Sequence, residues 1–238
     1  MIQMVIIANF KSLENITLLL DKFNCLVGMN GAGKSTILQA LDLLAQLMHG
    51  TVDQWLAARG WESKDLYCRT SHSPRGPLLL VLLRLEDGRQ LIWSATLNRN
   101  TLRINSESVR LQDEQIFSTS SSSFNLLGQK HEITHDYTGS LLASLKDSLL
   151  SPELKTLRDT IRNIRSLELL SPHLLRKRSR AQDKDIGAGG EKLSGFLATL
   201  KGEQKAQLLA VLCQFYPHLR DFRVARVRGG WWRLMVTE

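Results

Sequence analysis

Apolar positions recur with two different periods along this chain of 238 residues. Residues 4–13 are almost unbrokenly apolar and close on Asn9-Phe10-Lys11-Ser12, and a second apolar run follows at 16–20. Runs of this length without helical spacing predict two strands. Phe23-Asn24-Cys25-Leu26-Val27 predicts a third strand, short and buried. Over 36–48 the period changes. Ile37, Leu38, Leu41, Leu44, Ala45 and Met48 fall at helical spacing, which predicts an amphipathic helix. Residues 78–85 and 90–97 are apolar again, and Asp87-Gly88 between them predicts a hairpin. A further short strand is expected near Leu102-Arg103-Ile104, and Glu107 precedes another apolar position at Val109.

Beyond this point the pattern is looser. Residues 118–123 are nearly pure Ser and Thr and predict a loop. Residues 141–164 have helical spacing, broken at Ser151-Pro152, where Ser can cap and Pro can sit in a first turn. Residues 167–172 predict a strand, residues 191–200 a helix, and 222–228 with 231–236 a hairpin around Gly229-Gly230. No internal repeat is visible. The chain divides at these breaks into 1–117, 118–165 and 166–238.

The predicted third strand runs into Gly28-Met29-Asn30-Gly31-Ala32-Gly33-Lys34-Ser35-Thr36, and the predicted helix leaves it. This run satisfies G-x-x-x-x-G-K-[ST], and strand, loop and helix are the context in which that pattern carries meaning. Glycines let successive backbone N–H groups converge on phosphate oxygens. Lys34 supplies a mobile positive charge for the β- and γ-phosphates, the Ser35 hydroxyl is a Mg²⁺ ligand, and the helix start adds its positive end. Gly28, Asn30, Gly31, Ala32, Gly33, Lys34, Ser35 and Thr36 are therefore the candidate ATP-binding residues, with Mg²⁺ at Ser35.

An apolar strand ending in Asn-Phe-Lys-Ser, a hairpin, and then Gly-x-Asn-Gly-x-Gly-Lys-Ser-Thr resembles the N-terminal end of ATP-binding-cassette ATPases of the RecF/SMC class. The resemblance is closest to the ATPases related to the overcoming-lysogenization-defect nucleases and to the Septu defence ATPase. It is specific over residues 1–50. It implies an α/β P-loop NTPase of ABC/RecF-SMC type, with an antiparallel β layer, a helical arm within 118–165 and the ATPase head continuing over 166–238. It also implies a nucleotide-sandwich homodimer or a partner chain, a role in DNA repair or phage defence, and possible nuclease and DNA partners.

Two motifs that such heads use are missing after the loop. Leu193-Ser194-Gly195-Phe196 imitates the signature Leu-Ser-Gly-Gly for three residues, inside a predicted helix and not at its start. Residues 78–83 followed by Arg84-Leu85-Glu86-Asp87 imitate a catalytic strand, but with Glu-Asp in place of Asp-Glu and with a turn at Asp87-Gly88. The catalytic residue is therefore left unassigned. The sequence reads as an ATPase head cut before its second half, with an incomplete parallel sheet and little hydrolysis on its own.

Composition changes the picture only modestly. The longest apolar run, 78–83, is too short to cross a membrane, and Asn9 and Lys11 interrupt the N-terminal stretch that a secretory signal would need. Cys25, Cys68 and Cys213 are odd in number and far apart, which fits a reducing cytoplasm better than a disulfide framework. A net charge of +8 suits either an anionic partner or ordinary solvation. Within the basic run Arg176-Lys177-Arg178-Ser179-Arg180 the same two readings stand, and Trp231 and Trp232 fit sheet packing or base stacking. One rival motif remains. His131-Glu132-Ile133-Thr134-His135 matches H-E-x-x-H, so a zinc metallohydrolase using His131, Glu132 and His135, with Glu153 downstream, is the alternative.

Overall fold

Eight strands run through the described residues of the N-terminal two thirds of the chain, and burial alternates residue by residue along the two central apolar ones, 78–84 and 90–97. In order the eight are β1 (Ile2–Phe10), β2 (Leu13–Leu19), β3 (Leu78–Arg84), β4 (Gln90–Leu97), β5 (Ile104–Leu111), β6 (Glu114–Thr119), β7 (Ser123–Leu126) and β8 (Gln129–Glu132). The computed structural model describes residues 1–70, 76–98, 100–169, 171–180 and 185–237, which cluster as two units, Met1–Arg165 and Ser166–Glu238. Within the first unit the strands form one antiparallel sheet in the order β2-β1-β3-β4-β5-β6-β7-β8.

The register explains the hydrophobic pattern. Val5 pairs with Val81, Val81 with Trp93, Trp93 with Val109, Val109 with Phe117, and Phe117 with Leu126. All six are buried, so one row of side chains crosses the sheet on its covered face. A slip of one residue in any of these strands would turn its apolar set toward water.

Helices α1 (Lys34–His49), α2 (Val52–Arg59), α3 (Leu141–Ser144) and α4 (Pro152–Arg162) complete the unit. Leu43, Leu44, Leu47 and Met48 of α1 are buried in the same cluster as the sheet row and as Leu141, Leu154, Leu157 and Ile161. The predicted helix over 141–164 is thus real in part. It is broken between α3 and α4, and this segment, expected as an arm, packs onto α1. Ser151 caps α4 by accepting from Leu154 N–H, with Pro152 in the first turn, as the sequence predicts. Gly139 allows the close approach of this segment to α1. Its φ is +76°, and a Cβ there would lie 2.5 Å from the Leu47 carbonyl oxygen.

One buried carboxylate organises the sheet–helix junction. Glu107 accepts from Trp93 Nε1–H at 2.8 Å, from the Ser140 hydroxyl at 2.5 Å, and from the N–H groups of Leu141 and Leu142 at 3.0 and 3.4 Å. It thereby occupies the start of α3, where N–H groups lack intrahelical partners. Burial pushes its pKa above the ordinary carboxylate value, and these hydrogen bonds oppose that push.

Several elements differ from the sequence reading. Residues 23–27 are not a strand, and they are exposed. A strand needs a ladder of backbone partners, and local sequence cannot supply one. The Ser/Thr run at 118–123 is not an open loop. It ends β6, turns, and begins β7, with Ser120 N–H donating to the Ser123 carbonyl. β6, β7, β8 and α2 carry no strong period and were not predicted. Among the described residues the ladders of the first sheet are antiparallel throughout.

The second unit contains α5 (Pro172–Leu175), β9 (Ser179–Arg180), α6 (Leu193–Leu197), α7 (Gly202–Phe215), β10 (Asp221–Val227) and β11 (Trp231–Thr237). The strands form a sheet in the order β10-β11-β9, and β10 with β11 is the hairpin predicted around Gly229-Gly230. The strand expected at 167–172 is absent: 167–169 carry no regular structure, Leu170 lies outside the described residues, and Pro172 opens α5. The helix expected over 191–200 shortens to α6, and α7 was missed. Leu193, Leu197, Leu208, Leu212, Phe222 and Leu234 line an open apolar groove of about 720 Å³ within this unit.

Candidate functional site

The β1–β2 turn and the start of α1 lie together. A Cβ on Gly33 would sit 3.5 Å from Leu13 Cδ2, and Ser12 Oγ is 3.3 Å from Thr36 Oγ1. Lys11 donates to Gln39 on α1 at 3.0 Å and its ammonium lies 3.0 Å from the centroid of the Trp61 ring. Asn9 and Lys11 both take positive φ, at 57° and 52°, which is uncommon for residues with a Cβ. The Asn-Phe-Lys-Ser turn is thus a shaped element that abuts the glycine loop.

The loop itself turns on two glycines, Gly31 with φ +82° and Gly33 with φ +89°. Both angles belong to the left-handed region, where a side chain is strained. Ala32 N–H closes a turn onto the Met29 carbonyl at 3.2 Å, and Ile37 N–H begins the helical ladder on the Gly33 carbonyl at 2.9 Å. Gly33 is the N-cap of α1, no side chain caps that end, and the first turn holds no acidic residue. The N–H groups of the first turn are therefore presented to an anion, with the helix dipole behind them. Lys34 Nζ donates to the Gly28 and Met29 carbonyls, both at 2.8 Å, so the ammonium spans the loop from within. Ser35 is exposed beside it, and Asn30 and Ala32 lie on the exposed rim. All eight residues expected to bind nucleotide are gathered in this one turn and helix start.

A second cluster, which the sequence did not announce, fastens α2 to α1. Asp42, buried on α1, accepts from Trp55 Nε1–H at 2.6 Å and from Arg59 at 2.9 Å. Trp55 meets Trp61 edge to face at 5.4 Å between ring centroids. An acidic residue on the apolar face of a predicted helix was the available signal.

The other candidates fall apart. Glu86 and Asp87 occupy the β3–β4 turn. Arg84 there exchanges hydrogen bonds with Met1, at the opposite end of β1 from the loop, roughly 25 Å along a strand of that length. Asp87 binds Arg89 at 2.7 Å, which also reaches Glu153 at 3.0 Å. His131 and Glu132 lie on β8, not on a helix, so H-E-x-x-H does not place its two histidines on one helical face. His131 stacks on Phe124 at 5.0 Å and His135 pairs with the Ser144 hydroxyl at 3.0 Å. Among the described residues no cluster of three His, Cys, Asp or Glu side chains is positioned for a metal. Leu193-Ser194-Gly195 does begin a helix, contrary to expectation. The Ser194 hydroxyl is buried, donates to the Lys177 carbonyl at 3.1 Å and accepts from Leu234 N–H at 3.3 Å, so it does not face outward.

No helix among the described residues is long and apolar enough to cross a membrane. A search of curated proteins finds no match. A family model described as AAA ATPase domain matches residues 1–171, which contain the whole first unit, the glycine loop and the hairpin before it. With more than two thirds of its length matched, the chain belongs to the AAA ATPase domain family.

Proposed function

We propose that this chain is the nucleotide-binding part of an ABC-type, RecF/SMC-like ATPase and binds Mg-ATP through residues 28–36. The observation that carries the reading is the loop geometry: Gly31 and Gly33 at positive φ, an uncapped helix start, and Lys34 held across the turn. The phosphates fit this cradle. First-turn N–H groups and Lys34 would hold their oxygens, and Ser35 would ligate Mg²⁺, which neutralises phosphate charge when bound. Family membership supports nucleotide use generally, and the Asn-Phe-Lys-Ser turn packed on α1 favours the RecF/SMC subtype. On the same reading, a second copy or a partner chain contributes the groups that face the γ-phosphate. Service in DNA repair or phage defence, with a nuclease partner, follows from the resemblance alone. A fluorescent-ATP titration with and without Mg²⁺ is the test, and equal affinity of the wild type and Lys34→Ala would sink the assignment.

A further inference from the structure

The second unit carries chemistry that the nucleotide reading leaves unused. Residues 166–238 hold 13 Lys and Arg against 7 Asp and Glu, whereas residues 1–165 hold 18 against 16. Most of the net charge of +8 therefore belongs to less than a third of the chain, and the family match ends at residue 171.

Part of this charge is arrayed on one sheet face. Arg223 pairs with Met235, Ala225 with Arg233, Val227 with Trp231, and Trp231 in turn with Arg180 of β9. Directly paired residues share a face and neighbours along a strand do not. Arg180, Trp231, Arg233, Met235 and Arg223 thus lie on one side, while Phe222, Leu234 and Val236 line the apolar groove on the other. The basic side is open: Trp231 is 39% exposed and Arg180 and Arg233 are exposed. The Arg180 guanidinium lies 5.1 Å from the Trp231 ring centroid, and the exposed Arg176, Lys177 and Arg178 lead into β9. Asp221, at the edge of the face, is bound by Arg223 at 3.2 Å and Lys205 at 3.4 Å.

A merely solvated basic face has no use for an exposed indole among guanidinium groups. Together they supply a stacking platform and phosphate partners. Stacking on a protein ring requires an unpaired base, which selects a single strand over a duplex. We propose that this face of β9, β11 and β10 binds single-stranded nucleic acid, with a base on Trp231 and phosphates on Arg180, Arg233 and Arg223. The inference extends the nucleic-acid role drawn above from resemblance, but it uses no residue of the glycine loop, so each reading can fail alone.

The test titrates a labelled oligothymidylate with the full chain at several salt concentrations, without nucleotide. Affinity is expected to fall linearly with salt on logarithmic axes. Arg180→Ala, Arg223→Ala and Arg233→Ala should each lower the slope by about 0.7. Trp231→Ala should weaken binding roughly 5- to 150-fold at fixed salt, and Trp231→Phe should restore most of it. Mg-ATP affinity should be unchanged in every variant, and an unchanged circular-dichroism spectrum and thermal midpoint report intact folding of the second unit, where the substitutions lie. Two results would overturn the proposal. One is a chain that binds Mg-ATP but no oligothymidylate. The other is Trp231→Ala indistinguishable from wild type while duplex DNA or heparin binds as tightly, which would leave only general polyanion attraction.

Discussion

Lys34 holds its ammonium on two carbonyls of the loop that it closes, so its charge is already aimed inward. On the proposed reading, replacing it with Ala should remove a charge-assisted contact worth about 1.5–3 kcal/mol, an expected loss of roughly 10- to 150-fold in Mg-ATP affinity, with little change in the thermal midpoint. Glu107 is the opposite kind of residue, remote from the loop and structural. Glu107→Ala leaves Trp93 Nε1–H, the Ser140 hydroxyl and two backbone N–H groups without their acceptor, at a cost of about 3 kcal/mol or more in urea unfolding. Its pKa is raised on folding by burial, so the native state binds the proton more tightly. The linked stability is fully present below the unfolded pKa and is lost as pH rises through the folded value. A wild-type stability curve as flat as that of Glu107→Gln as pH rises from about 4.5, the ordinary value, would contradict this. Gly139→Ala is expected to cost roughly 2–4 kcal/mol, because the new Cβ would collide with the Leu47 carbonyl in a left-handed backbone.

At the scale of elements, strands β3 and β4 were legible because burial alternates strictly along both and Asp87-Gly88 marks the turn between them. Helix α1 was legible from its spacing, although Leu38, counted on its apolar face, is exposed. The hairpins from β5 to β8 were largely missed, because Ser, Thr, Asn and Gln in short strands look locally like loop. The segment 23–27 shows the reverse error. Its apolar residues read as a buried strand, yet Phe23 and Val27 are 85% and 89% exposed. Apolar area in this segment contributes almost nothing to the folded unit, and an uncovered extended run invites association. The double variant Phe23→Lys, Val27→Lys should therefore keep the wild-type thermal midpoint while binding less of a hydrophobic dye and staying monodisperse at higher concentration. A drop of several degrees would mean that these side chains support the fold.

At the scale of the whole molecule, the carboxylates that the sequence offered for catalysis stand away from the loop among the described residues of the first unit. The first turn of α1 holds no carboxylate, and Glu86 and Asp87 lie at the far end of β1. Phosphoryl transfer depends on positioning and charge stabilisation, and each missing group typically costs a factor on the order of 10² to 10³. Purified chain is expected to release phosphate at a rate indistinguishable from Lys34→Ala. Turnover on the order of one per second would reveal a catalytic carboxylate brought to the loop by an association not described above.

The sequence by itself determined the glycine loop, the helix leaving it and the strongly alternating hairpins, because backbone permissiveness, charge and periodicity are local properties read within a dozen residues. Gly31, Gly33 and Lys34 could be assigned before any fold was known for that reason. Only the tertiary structure decided that the Lys11–Ser12 turn abuts α1 and that Asp42, Trp55 and Arg59 lock together. It also decided that Glu107 is a buried cap, that H-E-x-x-H lies on a strand, and that Arg180, Trp231 and Arg233 share a face. Those facts depend on register and on contacts between residues far apart in the chain, and pairing across such separations is set by the packing of the whole sheet.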